Sequence, residues 1–365
     1  MTSTGKILLQ FDQAAASPDK GKALRDGLSV VVQAGGNLWV ANDESLSLER
    51  LTLGGESVEK DHQSFSLADY LNLPVPPGTD PDKLEEADIE GLAYADGALW
   101  LVGSHSLKRK SPKAGDGPEK ARKQLAKIGR DGNRYLLARI PLVEESGEQR
   151  LARRNGDCFA ARLSGDHRGN ALSEALADDE HLSPFLTIPG KDNGFDIEGL
   201  AVAGPRLFLG LRGPVLRGWA VILELEPVAA PPAGLELKPL AADRRPYLKH
   251  FLHLGGLGIR DLCRHGDDLL ILAGPSMDLD GPVRVLRWPG GAIPHKAGEL
   301  IPADGLEPVL DIPYGQGDDH AEGMTLFSPV AGETPSLLVV YDAASEQRKR
   351  GAHAVLADIF PLPPR

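Results

Sequence analysis

The chain has 365 residues, of which 42 are Gly and 29 are Pro, with 41% hydrophobic residues and a net charge of −12 from 40 Lys plus Arg against 52 Asp plus Glu. So much backbone punctuation in a chain still apolar enough for a core fits many short elements, and it excludes collagen, coiled coil and disordered tail. The acidic balance argues against a nucleic-acid partner, because such binding is driven by phosphate neutralisation.

The first twenty residues hold no charged segment followed by a long apolar run, and no stretch approaches the roughly 18 apolar residues of a membrane span. A soluble cytoplasmic protein without membrane contact is expected. Cys158 and Cys263 are the only cysteines. They lack metal-site spacing and read as core thiols.

In chain order, one unit recurs: a phrase of the type Glu-Gly-Leu-Ala, a Gly/Asp turn, then an apolar strand. The copies begin at Asp26, Glu90, Glu198, Arg260 and Glu322, before NLWVANDES, ALWLVGSHS, RLFLGLRGP, DLLILAGPS and SLLVVYDAA. Their spacings are 64, 108, 62 and 62 residues, so the second unit carries extra chain. A third strand follows in each (LERLTL, RYLLARIPL, AVILELEP, VRVLRWP, AVLADIFPL). A fourth follows in the first four (FSLADYLNL, FLTIPG, KHFLHLGG, PVLDIP).

Four strands per unit, bounded by Gly, Pro and Asp, predict an all-β fold, a β-propeller of five blades in a single domain over 1–365. Residues 6–11 complete the last blade, which closes the ring and leaves no free sheet edge. The extra chain reads as two insertions, 107–134, basic with the helical stretch PEKARKQLAKIG, and 143–184, with a helix capped by Asn170. A sixth blade would need that extra chain to form strands.

Equivalent positions of successive inner strands face one another around a propeller axis. The repeat therefore assembles a ring of Asp26, Glu90, Glu198, Arg260 and Glu322. Two carboxylates about 6 Å apart repel by roughly 3 kcal/mol at an effective dielectric near 20. The four must be protonated, spread out, paired with Arg260, backbone amides and water, or neutralised by a divalent cation. All-oxygen donors favour Ca²⁺ or Mg²⁺ over zinc. Asp88, Asp196 and His320, two residues upstream of ring positions, belong at the channel mouth as outer ligands or as acid and base. Gly91, Gly199 and Gly323 read as places where a side chain would crowd the axis.

Between Lys108 and Arg134 ten Lys or Arg face Asp116, Glu119 and Asp131 alone. The helical part fits a solvated face with intrahelical pairs such as Glu119 with Lys123. Lys108 and Arg212, on loops opening toward the ring, are candidate clamps for an anionic small molecule bridged to the metal, with Arg260 beside them. His105 or His320 could transfer a proton. Serine-hydrolase, zinc-protease, Walker and dinucleotide motifs are missing, and Ser104 and His105, as neighbours, point to opposite strand faces.

The phrases DIEGLAYADGALWLVGSHSLKRK, NGFDIEGLAV and HAEGMTL resemble a bacterial family described only as a domain of unknown function. More distantly, the DIEGLA repeat is similar to that of phytase-like propellers, and the axial Glu arrangement resembles five-bladed calcium-dependent apyrases. Those resemblances imply calcium held by Glu90, Glu198 and Glu322, with Asp88 and Asp196 accompanying the first two, and a phosphorylated substrate. Arg260 and Asp26 depart from the pattern. The expected function is metal-dependent hydrolysis of an anionic small molecule; the alternative is a non-catalytic module binding a ligand or a protein partner on the same face.

Overall fold

Apolar strands separated by tight turns fold back on their neighbours as antiparallel meanders. A computed structural model describes the chain except residues 1–4, 13–22, 55–56, 79–84, 114, 231–233, 330–333 and 364–365, and the side chains of 57–60. It shows an all-β protein, a β-propeller, with two α-helices among the described residues, Pro118–Leu125 and Ala171–Leu176.

Sheet I contains Leu28–Ala34, Asn37–Asn42, Ser47–Gly54 and Ser57–Ser66, and sheet II Ile89–Ala95, Ala98–Gly103, Leu137–Glu145 and Ala161–Leu163. Sheet III contains Asp196–Ala203, Arg206–Gly213, Trp219–Leu225 and Tyr247–His253, and sheet IV Gly258–His265, Asp268–Gly274, Val283–Trp288 and Glu307–Ile312. Sheet V is built from His320–Phe327, Ser336–Asp342 and Ala354–Phe360, with Gly5–Gln10 paired antiparallel to the last of these. The first strands of the sheets neighbour one another in the order I, II, III, IV, V and back to I.

Burial follows the same circular order. Buried apolar clusters lie between successive sheets: Trp39 and Leu48 meet Leu99 and Ile140, Val102 and Leu137 meet Leu209 and Leu223, and Phe208 and Ile222 meet Leu269 and Ile271. Leu272 with Leu337, and Leu338 with Leu38, complete the circle. Each fully buried large aliphatic contributes roughly 1.5–3 kcal/mol, so neighbouring sheets, rather than any one sheet, hold the fold. Hairpins between the first two strands of sheets I to IV turn through Gly35, Gly97, Gly204 and Gly266 at φ 59°, 74°, 56° and 66°. That left-handed conformation explains the glycine of each repeat.

Two strand readings are corrected. FSLADYLNL continues past its strand as a 3-10 turn, Leu67–Asp69, with Leu67, Leu71 and Leu73 buried. FLTIPG is likewise not sheet II's fourth strand, since Ser183–Phe185 and Gly190–Asp192 are 3-10 turns. Ala161–Leu163, inside the segment read as an insertion, takes that place, and Gly234–Leu237 from the sheet III connection pairs parallel to it. The helix N-capped by Asn170 is present as Ala171–Leu176 with a capping box. No helix among the described residues is long and apolar enough to cross a membrane.

Candidate functional site in the channel

Every first strand carries a register slip at the same place, between Leu28 and Val30, Ile89 and Gly91, Ile197 and Gly199, Ile259 and Asp261, and Ala321 and Gly323. The residue left unpaired by each β-bulge is Ser29, Glu90, Glu198, Arg260 or Glu322, so the bulge re-aims one side chain per sheet. Four expected ring members thus share one register. Asp26 does not: it lies in the 3-10 turn Leu24–Asp26, 3.5 Å from both Arg25 and Lys349. Ser29 holds its register position and donates to the Ile89 carbonyl at 2.6 Å.

The glycine that follows the bulge in sheets II, III and V has a steric cause, whereas sheet I has Val30 at that place. A Cβ at Gly91 would lie 2.6 Å from Leu200, one at Gly199 would lie 2.9 Å from Leu262, and one at Gly323 would lie 2.8 Å from Val340. Sheet IV has Asp261 there, a residue not singled out in the sequence. Its buried carboxylate accepts from the backbone N–H groups of Leu262 and Met324, at 2.7 Å each, tying sheet IV to sheet V.

Charge is compensated unevenly around the ring. Arg212 pairs with Glu198 at 2.7 Å and Arg260 with Glu198 at 3.1 Å, and Arg260 also pairs with Glu322. Arg212 further donates to the carbonyls of Ser276 and Met277. Arg134 pairs with Asp88 and Glu86, both at 2.7 Å, and Lys108 with Glu86 at 2.8 Å and with Asp131. Both clamp candidates, Lys108 and Arg212, are therefore already neutralised, as is Arg260.

Glu90 and Asp196 have no ion pair among the described residues. Burial, then the charges of Asp88, Glu198, Glu322 and Asp43, push the Glu90 carboxyl well above its ordinary pKa. Burial and Glu198 push Asp196 to about 7, despite Arg212. Burial and Asp342 raise Glu322, and burial and Glu86 raise Asp88. Asp88 also adopts a left-handed φ of 49°.

The two histidines separate. His105 is buried, with Nδ1 2.8 Å from the Gly103 carbonyl and Nε2 2.7 Å from Asn170 Nδ2. The amide donates to Nε2, so Nδ1 carries the proton, and burial lowers the pKa to about 4. Both nitrogens of the expected proton-transfer residue His105 are thus engaged within the protein. His320 is half-buried at the mouth, with Nε2 3.3 Å from Asp280.

A cavity of about 430 Å³ opens here, lined by Glu90, Asp196, Glu198, Glu322, Lys108 and Lys191 among others. A smaller adjoining pocket, lined by Lys191, Arg260, Met277, Tyr314 and His320, shares its wall. Lys191 lines both and has no ion pair among the described residues; against burial and Arg212, the charges of Glu322, Asp278 and Asp342 raise its pKa. It sits in the 3-10 turn Gly190–Asp192, one residue past the segment FLTIPG that the sequence pattern made into a strand.

Away from the channel, Glu224, His250 and His295 bring ligand-type atoms within 4.8 Å of one another, a group with the chemistry to hold a metal ion. His250 Nε2 and His295 Nδ1 each lie 3.0 Å from Glu224 Oε2, and Arg206 lies 3.2 Å from Oε1. The Glu299 N–H donates to His250 Nδ1 at 3.1 Å, which leaves the proton on Nε2, facing Glu224. As it stands the triad is a closed hydrogen-bond network, and a metal would have to displace that proton. No local motif links residues so far apart in sequence.

Fold and site together define a β-propeller with a carboxylate-rich channel. The chain belongs to the family described as "Protein of unknown function (DUF3616)", whose model matches residues 27–358. Among curated proteins no match is found. Among solved structures the chain is similar to a Myxococcus xanthus glutaminyl cyclase, with 10% identity, 98% of each chain covered and a TM-score of 0.39. It is also similar to the PQQ-bound aldose sugar dehydrogenase of Streptomyces coelicolor, with 12% identity, 97% of this chain and 98% of that one covered, and a TM-score of 0.36. A streptogramin B lyase gives 8% identity, the same coverage and a TM-score of 0.35.

Proposed function

We propose that the protein is a five-bladed propeller, one blade per sheet, whose channel mouth binds a divalent cation together with an anionic small molecule and hydrolyses it. The observation that carries this reading is the pairing pattern: Glu90 and Lys191 line one cavity, yet neither has an ion pair among the described residues. Glu90, with Asp88, Asp196, Glu198 and Glu322 near it, supplies oxygen donors of the kind calcium takes. Lys191 replaces Lys108 and Arg212 as the group that orients the anion, most simply a phosphate ester. Asp196, at about 7, can give or take a proton at neutral pH, and His320 stands at the same mouth. The distant phytase and apyrase resemblance points the same way.

Calorimetric titration with CaCl₂, MgCl₂ and MnCl₂, followed by phosphate-release assays on phosphomonoesters, nucleotides and inositol phosphates, tests the reading. Saturable cation binding with cation-dependent release is the expected result. The absence of both signals would overturn it, and binding without release would reduce it to a ligand-binding module.

A further inference from the structure

A second groove, sharing no lining residue with the channel cavity, lies along the outer side of sheet II. There residues 70–72, leaving sheet I, meet the hairpin Arg154–Asn155/Cys158–Phe159 and the strand Ala161–Leu163. Its volume of about 560 Å³ falls in the range of small-molecule sites. Arg153, Arg154 and Arg162 line it, and no Asp or Glu does. In a protein of net charge −12, such a lining is a local reversal of sign.

The three guanidinium groups are anchored alike. Arg153 Nε donates to the Asp69 carbonyl at 2.6 Å, Arg154 Nε to the Gly156 carbonyl at 2.8 Å, and Arg162 Nε to the Asn72 carbonyl. Arg162 Nη1 also donates to the Leu163 and Gly165 carbonyls, each at 3.1 Å. Among the described residues, the terminal nitrogens of Arg153 and Arg154 and Nη2 of Arg162 have no acceptor. None of the three pairs with a carboxylate there.

Burial pulls the Arg162 guanidinium below its ordinary pKa, Asp166 opposing only in part. A cation placed so lacks a counter-ion. A guanidinium held by its Nε alone, as in Arg153 and Arg154, keeps both terminal nitrogens free for bidentate anion contact and loses little freedom on binding, and Arg162 adds its Nη2. Tyr70 and Phe159 give the groove aromatic walls, and Arg139 lies 5.6 Å from the Phe159 ring centroid.

We infer that this groove is a second ligand site, which takes a small molecule carrying two or more phosphate-type anionic groups and uses Arg153, Arg154 and Arg162 to bind them. The site is independent of the channel reading.

Metal-free titration of the full chain with inorganic pyrophosphate and with ATP, at two salt concentrations, tests it. One saturable site is expected, weaker at higher salt. The Arg153→Gln/Arg154→Gln double variant should weaken it about tenfold or more. Arg162→Gln should do the same, and because its Nε holds the Asn72 carbonyl, the exposed pair carries the test if that variant misfolds. Lys191→Met, in the channel, should leave the affinity unchanged. No saturable binding to the wild type at millimolar concentration would overturn the inference. So would equal affinity of wild type and double variant, or binding lost in Lys191→Met and kept in the arginine variants, which would place the anion in the channel.

Discussion

The two halves of the channel ring are built from one bulge and end in opposite electrostatic states. On the side of sheets III to V, Glu198 and Glu322 share Arg260, and Arg212 adds a second cation to Glu198. On the side of sheets I and II, Ser29 replaces a charged group, and Glu90 has no ion pair among the described residues while Asp88, Glu198, Glu322 and Asp43 raise its pKa. The backbone device places a side chain; the loops then decide whether it is neutralised. One half is therefore a structural clamp, and the other leaves a carboxyl without an ion pair among the described residues, where the proposed cation would bind.

The sharpest way to break this contrast is to unpair the clamped half. Arg260→Met leaves Glu198 with a single cation and Glu322 with none in a buried setting. Removing one partner of such a group costs about 3–5 kcal/mol. Denaturant unfolding should show a loss of that size; a loss below about 1 kcal/mol would mean the ring is already wet or protonated.

The next effect is a pH dependence, and its sign follows from Asp196. The folded value is raised to about 7, while the unfolded carboxyl titrates near 4. Between those values the folded chain holds a proton that the unfolded chain has released. The contribution is complete below pH 4 and is lost as pH rises through 7. In cation-free buffer, stability should fall over that window by on the order of 1 kcal/mol per pH unit, and Asp196→Asn should flatten the fall. Glu224 and Asp179, held at about 2, act in the opposite sense and lose their contribution only as pH falls below about 4. An unchanged slope in Asp196→Asn would assign the titration to other groups.

Glu90→Gln addresses the open half directly. Removing a carboxyl whose charge its acidic neighbours oppose should raise stability by roughly 1 kcal/mol without cations, and it should abolish the rise in melting temperature that the proposed site predicts for the wild type in calcium. If the calcium effect survives, Glu90 does not hold the ion.

The two halves were not equally legible in the sequence. Glu90, Glu198 and Glu322 were found because the position after the bulge has no room for a side chain in sheets II, III and V, and that constraint writes a repeated Glu-Gly phrase against which Arg260-Asp261 aligns. Asp26-Gly27-Leu28-Ser29 imitates the phrase three residues early; the bulge itself falls at Ser29, where nothing in residue type marks it. Lys191 carries no repeat or motif to mark it: it follows FLTIPG, whose composition suits a strand but whose Pro189 and Gly190 lead into the turn Gly190–Asp192 that sets Lys191 on the cavity wall. His105 looked catalytic because a histidine at a strand end is chemically versatile. Its partner Asn170, whose cap was legible, lies 65 residues away, and only the fold shows that one amide caps a helix and fixes an imidazole. The insertion's Glu119–Lys123 pair, by contrast, was local and is present at 2.8 Å.

The smallest expected change in stability belongs to Lys191→Met, and that makes it the cleanest probe of the contrast. Lys191 keeps surface open to solvent although the cavity walls partly desolvate its ammonium, and it anchors no carboxylate among the described residues, so its removal should alter stability by no more than about 0.5 kcal/mol. The calcium-induced rise in melting temperature should persist, since the open carboxylates are untouched. Anion affinity at the channel, measured with calcium present, should fall about tenfold, the loss of one charge-assisted contact. A variant that loses calcium response and anion affinity together would show that Lys191 supports the carboxylates, as Arg260 does, and would add it to the clamp.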